Sequence, residues 1–298
     1  MFEAPETFMG IPPGPPGPGC KVAVLGVPFD CGTHPFRIGA RQGPTAVRRQ
    51  SRLIPRFHPA RADLDFMAAL GAVDCGNVAL TPGRIGEAFP RIEAAADAVL
   101  SAGAVPIGIG GDGAVSLPLM RAAAKHHPGL VALHVDSHTD AYPYDAVDPY
   151  NAATQFTHAA EEGLVAAGSW HLGIRGFASR AGVIGHAEAL GFRVVTTEAL
   201  MLRGFAQTIA EFRDQMAGRP VYLCWDMDVF DPSVAPGVCT PTWGGLSARE
   251  GIALLRELAG LDIVAADFNT VSPPHDVQGM TAHLCAHMIA EACVLLAR

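Results

Sequence analysis

Short apolar runs alternate with longer segments of helical period along nearly the whole chain. Residues 21–27, 105–109, 133–140 (running out into a loop), 171–175, 192–196, 221–226 and 263–267 read as strands, being rich in Val, Ile and Leu and bounded by Gly, Pro, Asp or Thr. The spacing between them predicts helices starting near Pro44, over 85–103, from Gly113 to about His126, and over 156–166, 205–216, 247–259 and 281–297; Ser247 with Glu250 forms a capping box. Strand, helix, strand repeated in this way implies right-handed crossovers and a mostly parallel sheet covered on both faces, a three-layer α/β/α arrangement. No internal repeat and no linker divides it, so residues 21–298 are expected to form one domain after a Pro/Gly-rich arm at 1–20. That arm, with its prolines between Met9 and Gly19, cannot be helix or strand, and reads as an extended segment lying on its own domain or a neighbouring subunit, or else as a disordered tail.

Two of the strands end in acids. Residues 133–140 carry Asp136, His138 and Asp140 at alternate positions, and residues 221–228 end in Asp226-Met227-Asp228, with Asp231-Pro232 stopping the run. In an extended backbone, side chains two apart share a face, so two carboxylates and an imidazole are expected to converge at the first tip. Such donors suit Mn²⁺, or Ni²⁺ and Zn²⁺ where imidazole takes part. A single D-x-D is more often a solvated strand end. Four aspartates and a histidine together are costly to pack for stability alone, because clustered carboxylates repel unless a cation neutralises them. Parallel sheets carry their sites at the carboxyl ends of the strands, where both tips lie.

Composition narrows the classes. With 298 residues, 49% of them apolar, the chain can bury one large core; a net charge of −8 and only 21 Lys plus Arg give no basic stripe for nucleic acid. No apolar run is long enough to span a bilayer, and Met1-Phe2-Glu3-Ala4-Pro5 is not the start of a secretion signal, so a cytoplasmic location is expected. The seven cysteines are odd in number and contain no C-x-x-C pair, which argues against a disulfide framework or a zinc knuckle. Cys239, in the turn after the second acidic strand, is the one thiol singled out for reactivity.

Gly26-Val27-Pro28-Phe29-Asp30, Gly32-Thr33, Gly39-Ala40-Arg41 and Gly43-Pro44, then Asp136-Ser137-His138-Thr139-Asp140, Asp226-Met227-Asp228 with Asp231-Pro232 and Ala235-Pro236-Gly237, then Gly244-Gly245-Leu246 and Val271-Ser272-Pro273-Pro274 follow one another in a familiar order. From about Val22 to its end the chain resembles the ureohydrolases, the family of arginase and agmatinase. The resemblance implies an arginase-like fold, association into trimers and hexamers, and a bridged pair of Mn²⁺ or Ni²⁺ ions that activates water for attack on a guanidinium carbon, releasing urea or a urea-like product and an amine. It assigns Asp136, His138, Asp226 and Asp228 to one ion, and Asp136, Asp140 and Asp226 to the other.

Three positions depart from the family's pattern. Where the first motif ends in a ligating histidine, this chain has Gly110-Gly111-Asp112-Gly113; the proton-shuttling histidine aligns with Ala152; the acidic substrate anchor before V-S-P-P aligns with Thr270. Metal ligand, proton shuttle and anchor are lost together. The remaining histidines considered as replacements, His126, His127, His158 and His275, read as surface or helix-end residues. The expectation is a ureohydrolase-fold subunit without an intact catalytic site, holding at most one divalent ion tightly. Its expected partner is a related, catalytically complete chain in a hetero-oligomer, a hexamer by the family's habit, for which the nickel-dependent metformin hydrolases are the nearest precedent. The alternatives are a stand-alone agmatinase-like amidinohydrolase with one metal and an altered substrate, and a binding protein for a small guanidine or amine.

Overall fold

In this computed structural model the described residues are 6–31, 36–58, 64–216 and 218–297; Gly32-Thr33 of the opening motif lies outside them. The strands are β1 (Val22–Gly26), β2 (Val73–Asn77), β3 (Val105–Ile109), β4 (Val131–Val135), β5 (Trp170–Ile174), β6 (Arg193–Thr196), β7 (Pro220–Asp226) and β8 (Asp262–Asn269). They form one sheet in the order β2-β1-β3-β8-β7-β4-β5-β6, every pairing parallel. The helices are α1 (Gly43–Ser51), α2 (Phe66–Ala69), α3 (Ile85–Ser101), α4 (Ser116–His126), α5 (Gln155–Glu161), α6 (Val183–Ala189), α7 (Thr197–Arg203), α8 (Phe205–Gln215), α9 (Ala248–Glu257) and α10 (Met280–Leu296).

β1, β4 and β5 are buried at every position, which is why they read as unbroken apolar runs. The two cores they separate are distinct. Val47, Phe66, Leu200, Phe212, Leu254 and Ile289 belong to the core on one face, and Phe89, Ile92, Leu117, Met120, Phe156 and Ala187 to that on the other. Ser247 caps α9 with the capping box that its spacing with Glu250 predicted.

Three things differ from the pattern reading. The helix predicted over 156–166 stops at Glu161. β2, α2, α6 and α7 carry too little periodicity to be read. β2 (Val-Asp-Cys-Gly-Asn) is stabilised from outside itself, because the buried Asp74 carboxylate accepts two 2.8 Å bonds from Arg48 of α1. The third is the arm. Phe8, Met9 and Ile11 are buried, Phe8 N donates to Asp74 Oδ2 at 2.8 Å, and Asp74 N to the Pro12 carbonyl at 2.9 Å. Residues 8–10 form a turn of 3₁₀ helix, and Pro13 bridges Asp74, so the arm covers the β2 edge of its own sheet.

The site follows from the register. β3, β8, β7 and β4 are neighbours, and Val135 of β4 lies beside Trp225 of β7 while Asp226 lies beside Asn269 of β8. The residues one step beyond these pairs, Asp136 and Thr270, together with Asp226 and the loop after β3, therefore meet at one carboxyl edge.

Candidate metal centre

The two acidic loops are built alike. Asp136 Oδ1 accepts from His138 N at 2.6 Å, and Asp226 Oδ1 accepts from Asp228 N at 2.7 Å. Each aspartate thus turns its own chain sharply as the strand ends. The expectation of strand-like alternation through residue 140 is corrected here: β4 stops at Val135, and Asp140 adopts a left-handed φ of 46°. These turns, with Asp228 Oδ1 accepting from Ser137 N and Oγ, bring the side chains together.

His138 Nδ1 stands 3.1 Å from Asp228 Oδ2 and 3.4 Å from Asp136 Oδ1. These spacings match the edges of a coordination polyhedron with bonds of about 2.1 Å. Asp136, His138 and Asp228 have ligand atoms within 4.8 Å of one another, as do His134, Asp136 and Asp140. Asp226 joins neither grouping, although the sequence assigned it to both ions; its Oδ1 accepts a hydrogen bond from Thr270 Oγ1.

Charge is crowded in this space. Burial first, and then the Asp228 charge, push Asp136 up to about 7. Burial also raises Asp140 and Asp226 well above the carboxylate range, with neighbouring aspartates adding to it. For His138 burial acts to lower the pKa, but Asp228 and Asp136 outweigh it and hold the ring charged. Asp228 is correspondingly depressed, its burial outweighed by His138. Three acids held up and one imidazolium held on mean that the cluster lacks positive charge, which a divalent cation supplies.

The first half of the centre fits a metal ion. The second half offers His134, Asp136 and Asp140. Gly113 offers no ligand, and a Cβ built on it would stand 2.6 Å from Gln155 Nε2 and 3.1 Å from Asp140 Oδ2. That space belongs to the Gln155 amide, which donates to Asp140 Oδ2 at 2.6 Å. Gly111 packs directly on the preceding loop, since a Cβ there would lie 1.5 Å from the Phe29 carbonyl oxygen. Asp112, held near 6 by burial despite bonds from Cys31, caps the turn.

A cavity of about 230 Å³ opens onto the cluster; Gly113, Ala152 and Thr270 line it beside His138, Asp140 and Asp228. The three departures separated in sequence therefore share one cavity. None of His126, His127, His158 and His275 lines it. His126 pairs with Asp97 and His275 with Ser272. His158 is not a surface residue: it is buried, stacked on Tyr144, with Nε2 2.6 Å from the Pro149 carbonyl. Cys239 lines the cavity, where burial and nearby carboxylates push its thiol well above the usual range.

Two residues escaped sequence reading. His134 is fully buried, held neutral by burial with a pKa near 3, and its Nε2 lies 2.8 Å from Asp136 Oδ2; its Nδ1 is 2.8 Å from His171 Nδ1. Its position two before Asp136, on the same strand face, was the available signal. Gln155 gave no signal, because its role depends on the vacancy at Gly113.

A parallel α/β sheet gathering carboxylates and an imidazole at its carboxyl edge is the architecture of a divalent-metal site. The chain belongs to the arginase family, whose model matches residues 20–295. It is 37% identical to guanidinopropionase of Pseudomonas aeruginosa, covering 99% of this chain and 93% of that one. It is 36% identical to proclavaminate amidinohydrolase of Streptomyces clavuligerus, over 98% of this chain and 93% of that relative. The solved structure of the latter superposes with a TM-score of 0.93 at 35% identity, covering 99% and 98%. Human mitochondrial guanidino acid hydrolase is 33% identical over 92% of this chain and 77% of its own length.

Proposed function

We propose that this chain is the incomplete subunit of a metal-dependent amidinohydrolase acting on a linear guanidine or a biguanide of the metformin type, assembled with a related chain that keeps the whole site. One observation carries the reading: Gly113, Ala152 and Thr270 line a single cavity with the surviving acids. None of the three can ligate a metal, relay a proton and carry a negative charge as the lost residues did. Asp136, His138 and Asp228 would hold one ion, Ni²⁺ or Mn²⁺, and a bound ion supplies positive charge that lowers the pKa of water. Asp140 and Asp226, capped by Gln155 and Thr270, are left to shape the cavity. The cytoplasm is the proposed compartment and a hexamer the proposed assembly.

A second reading, a stand-alone amidinohydrolase using one metal on an altered guanidino substrate, is supported by the near full-length similarity to guanidinopropionase and proclavaminate amidinohydrolase. One experiment separates the two. The chain is purified alone and co-expressed with a related chain carrying the intact histidine and acidic anchor, then assayed with agmatine, guanidine and metformin plus Mn²⁺ or Ni²⁺, with native mass measurement. The subunit reading expects a mixed oligomer and no turnover by this chain alone. Homo-oligomers under both conditions, with full activity of the related chain by itself, would overturn it. Turnover by the isolated chain would establish the second reading.

A further inference from the structure

Resting on the reading that the centre keeps one metal half, we propose that Gln155 and Thr270 are built-in replacements for the second cation: an amide and a hydroxyl donate to Asp140 and Asp226, two carboxylates that would otherwise help to hold it. Their placement is specific. Gln155 opens α5, is 1% exposed, and directs Nε2 at Asp140 Oδ2, while its Oε1 has no hydrogen-bond partner. The amide is therefore held by one bond, to the carboxylate, and by space. The chain holds Asp140 to it, because Phe156 N donates to the Asp140 carbonyl at 3.0 Å.

Across the cavity Thr270 does the same for Asp226. Its φ of 65° is a costly backbone conformation for a β-branched residue. Thr270 N donates to the Gly111 carbonyl at 2.7 Å and Oγ1 donates to Asp226 Oδ1. Of the four non-glycine residues with left-handed φ among the described residues, Asp140 and Thr270 are two, and both lie in this half. Each donor satisfies one buried carboxylate oxygen without charge, Asp140 Oδ2 and Asp226 Oδ1.

The inference makes residues 113 and 155 alternatives for one volume. An imidazole at 113 must displace the Gln155 amide, whose Nε2 is 2.6 Å from the first atom of any side chain there. Tight Mn²⁺ equivalents are counted by elemental analysis after gel filtration, with the Mn²⁺-induced rise in melting temperature and the electron paramagnetic resonance signature of a coupled pair. The natural chain and Gly113→His alone are expected to hold one equivalent or less, without coupling. Gly113→His combined with Gln155→Ala is expected to hold two coupled ions and to gain more thermal stability from Mn²⁺ than either single variant. If that double variant does not fold without metal, refolding in Mn²⁺ or the smaller polar Gln155→Ser in combination with Gly113→His gives the same readout, a second equivalent being expected of either. Two equivalents in Gly113→His alone, or one in every folded combination, overturns the inference. Two equivalents in the natural chain would instead overturn the reading on which it rests.

Discussion

The two halves of the centre lie on the same strand ends, share the Asp136 loop, and are equally buried, yet they satisfy their carboxylates in different ways. On one side Asp136 and Asp228 face a charged imidazole at 3.4 and 3.1 Å. On the other, Asp140 and Asp226 face an amide and a hydroxyl. A charged nitrogen ligand exchanges readily for a metal, since both neutralise the same oxygens and the imidazole becomes a donor on losing its proton. An amide NH₂ cannot make that exchange. The comparison teaches that carboxylates on one sheet edge can be satisfied by a charge in one place and by neutral donors a few residues away.

The sharpest way to break this contrast is His138→Ala. The surviving half should lose its tightly held ion, and in the metal-free chain two carboxylates lose their buried partner at a cost of about 3–5 kcal/mol. Metal analysis and denaturant unfolding measure both. An unchanged metal content would move the site away from His138.

Gly113→His alone probes the other half. Crowding against Gln155 should cost about 1–3 kcal/mol, and turnover of a guanidino substrate should stay absent because Ala152 and Thr270 still leave two roles unfilled. Appreciable hydrolysis by this single variant would sink the claim that three roles are missing.

A carboxylate remote from the centre calibrates what a charged partner is worth. Burial acts to raise Glu291, but His287 and Arg256 outweigh it and hold it down at about 2, against an ordinary 4.5. A depressed acid stabilises the fold above its unfolded pKa and loses that contribution as pH falls through the folded one, here between about 4.5 and 2. Discounted for the half-exposed Arg256, the contribution is about 2 kcal/mol. Glu291→Gln should lower stability at pH 7 by that amount and flatten the acid limb of the unfolding curve. An unaltered limb would mean that the pair is screened.

The smallest effect is expected of Thr270→Val, which keeps the shape and φ while removing the bond to Asp226, at about 1 kcal/mol. A loss as large as that of His138→Ala would show that the hydroxyl holds more of the centre than its one bond.

The apolar periodicity of strands buried on both faces made the layered parallel sheet readable without coordinates, and the acids at the tips of β4 and β7 marked its active edge. β2 was not readable, because Asp74 is held there by Arg48 from another element, and the arm from Phe8 to Ile11 finds its cover only once that edge exists. The same division holds at the centre. Sequence order marked Gly113, Ala152 and Thr270 as departures from the family's pattern, since a glycine, an alanine and a threonine declare by themselves what they cannot do. Only the tertiary structure revealed what stands beside them: that Gln155 occupies the space next to Gly113 and that Asp226 is bonded by Thr270. Local pattern encodes which face of an element is buried, whereas filling a vacancy depends on atoms brought to within a few ångströms by separate strands and loops, and no periodicity within one segment records that meeting.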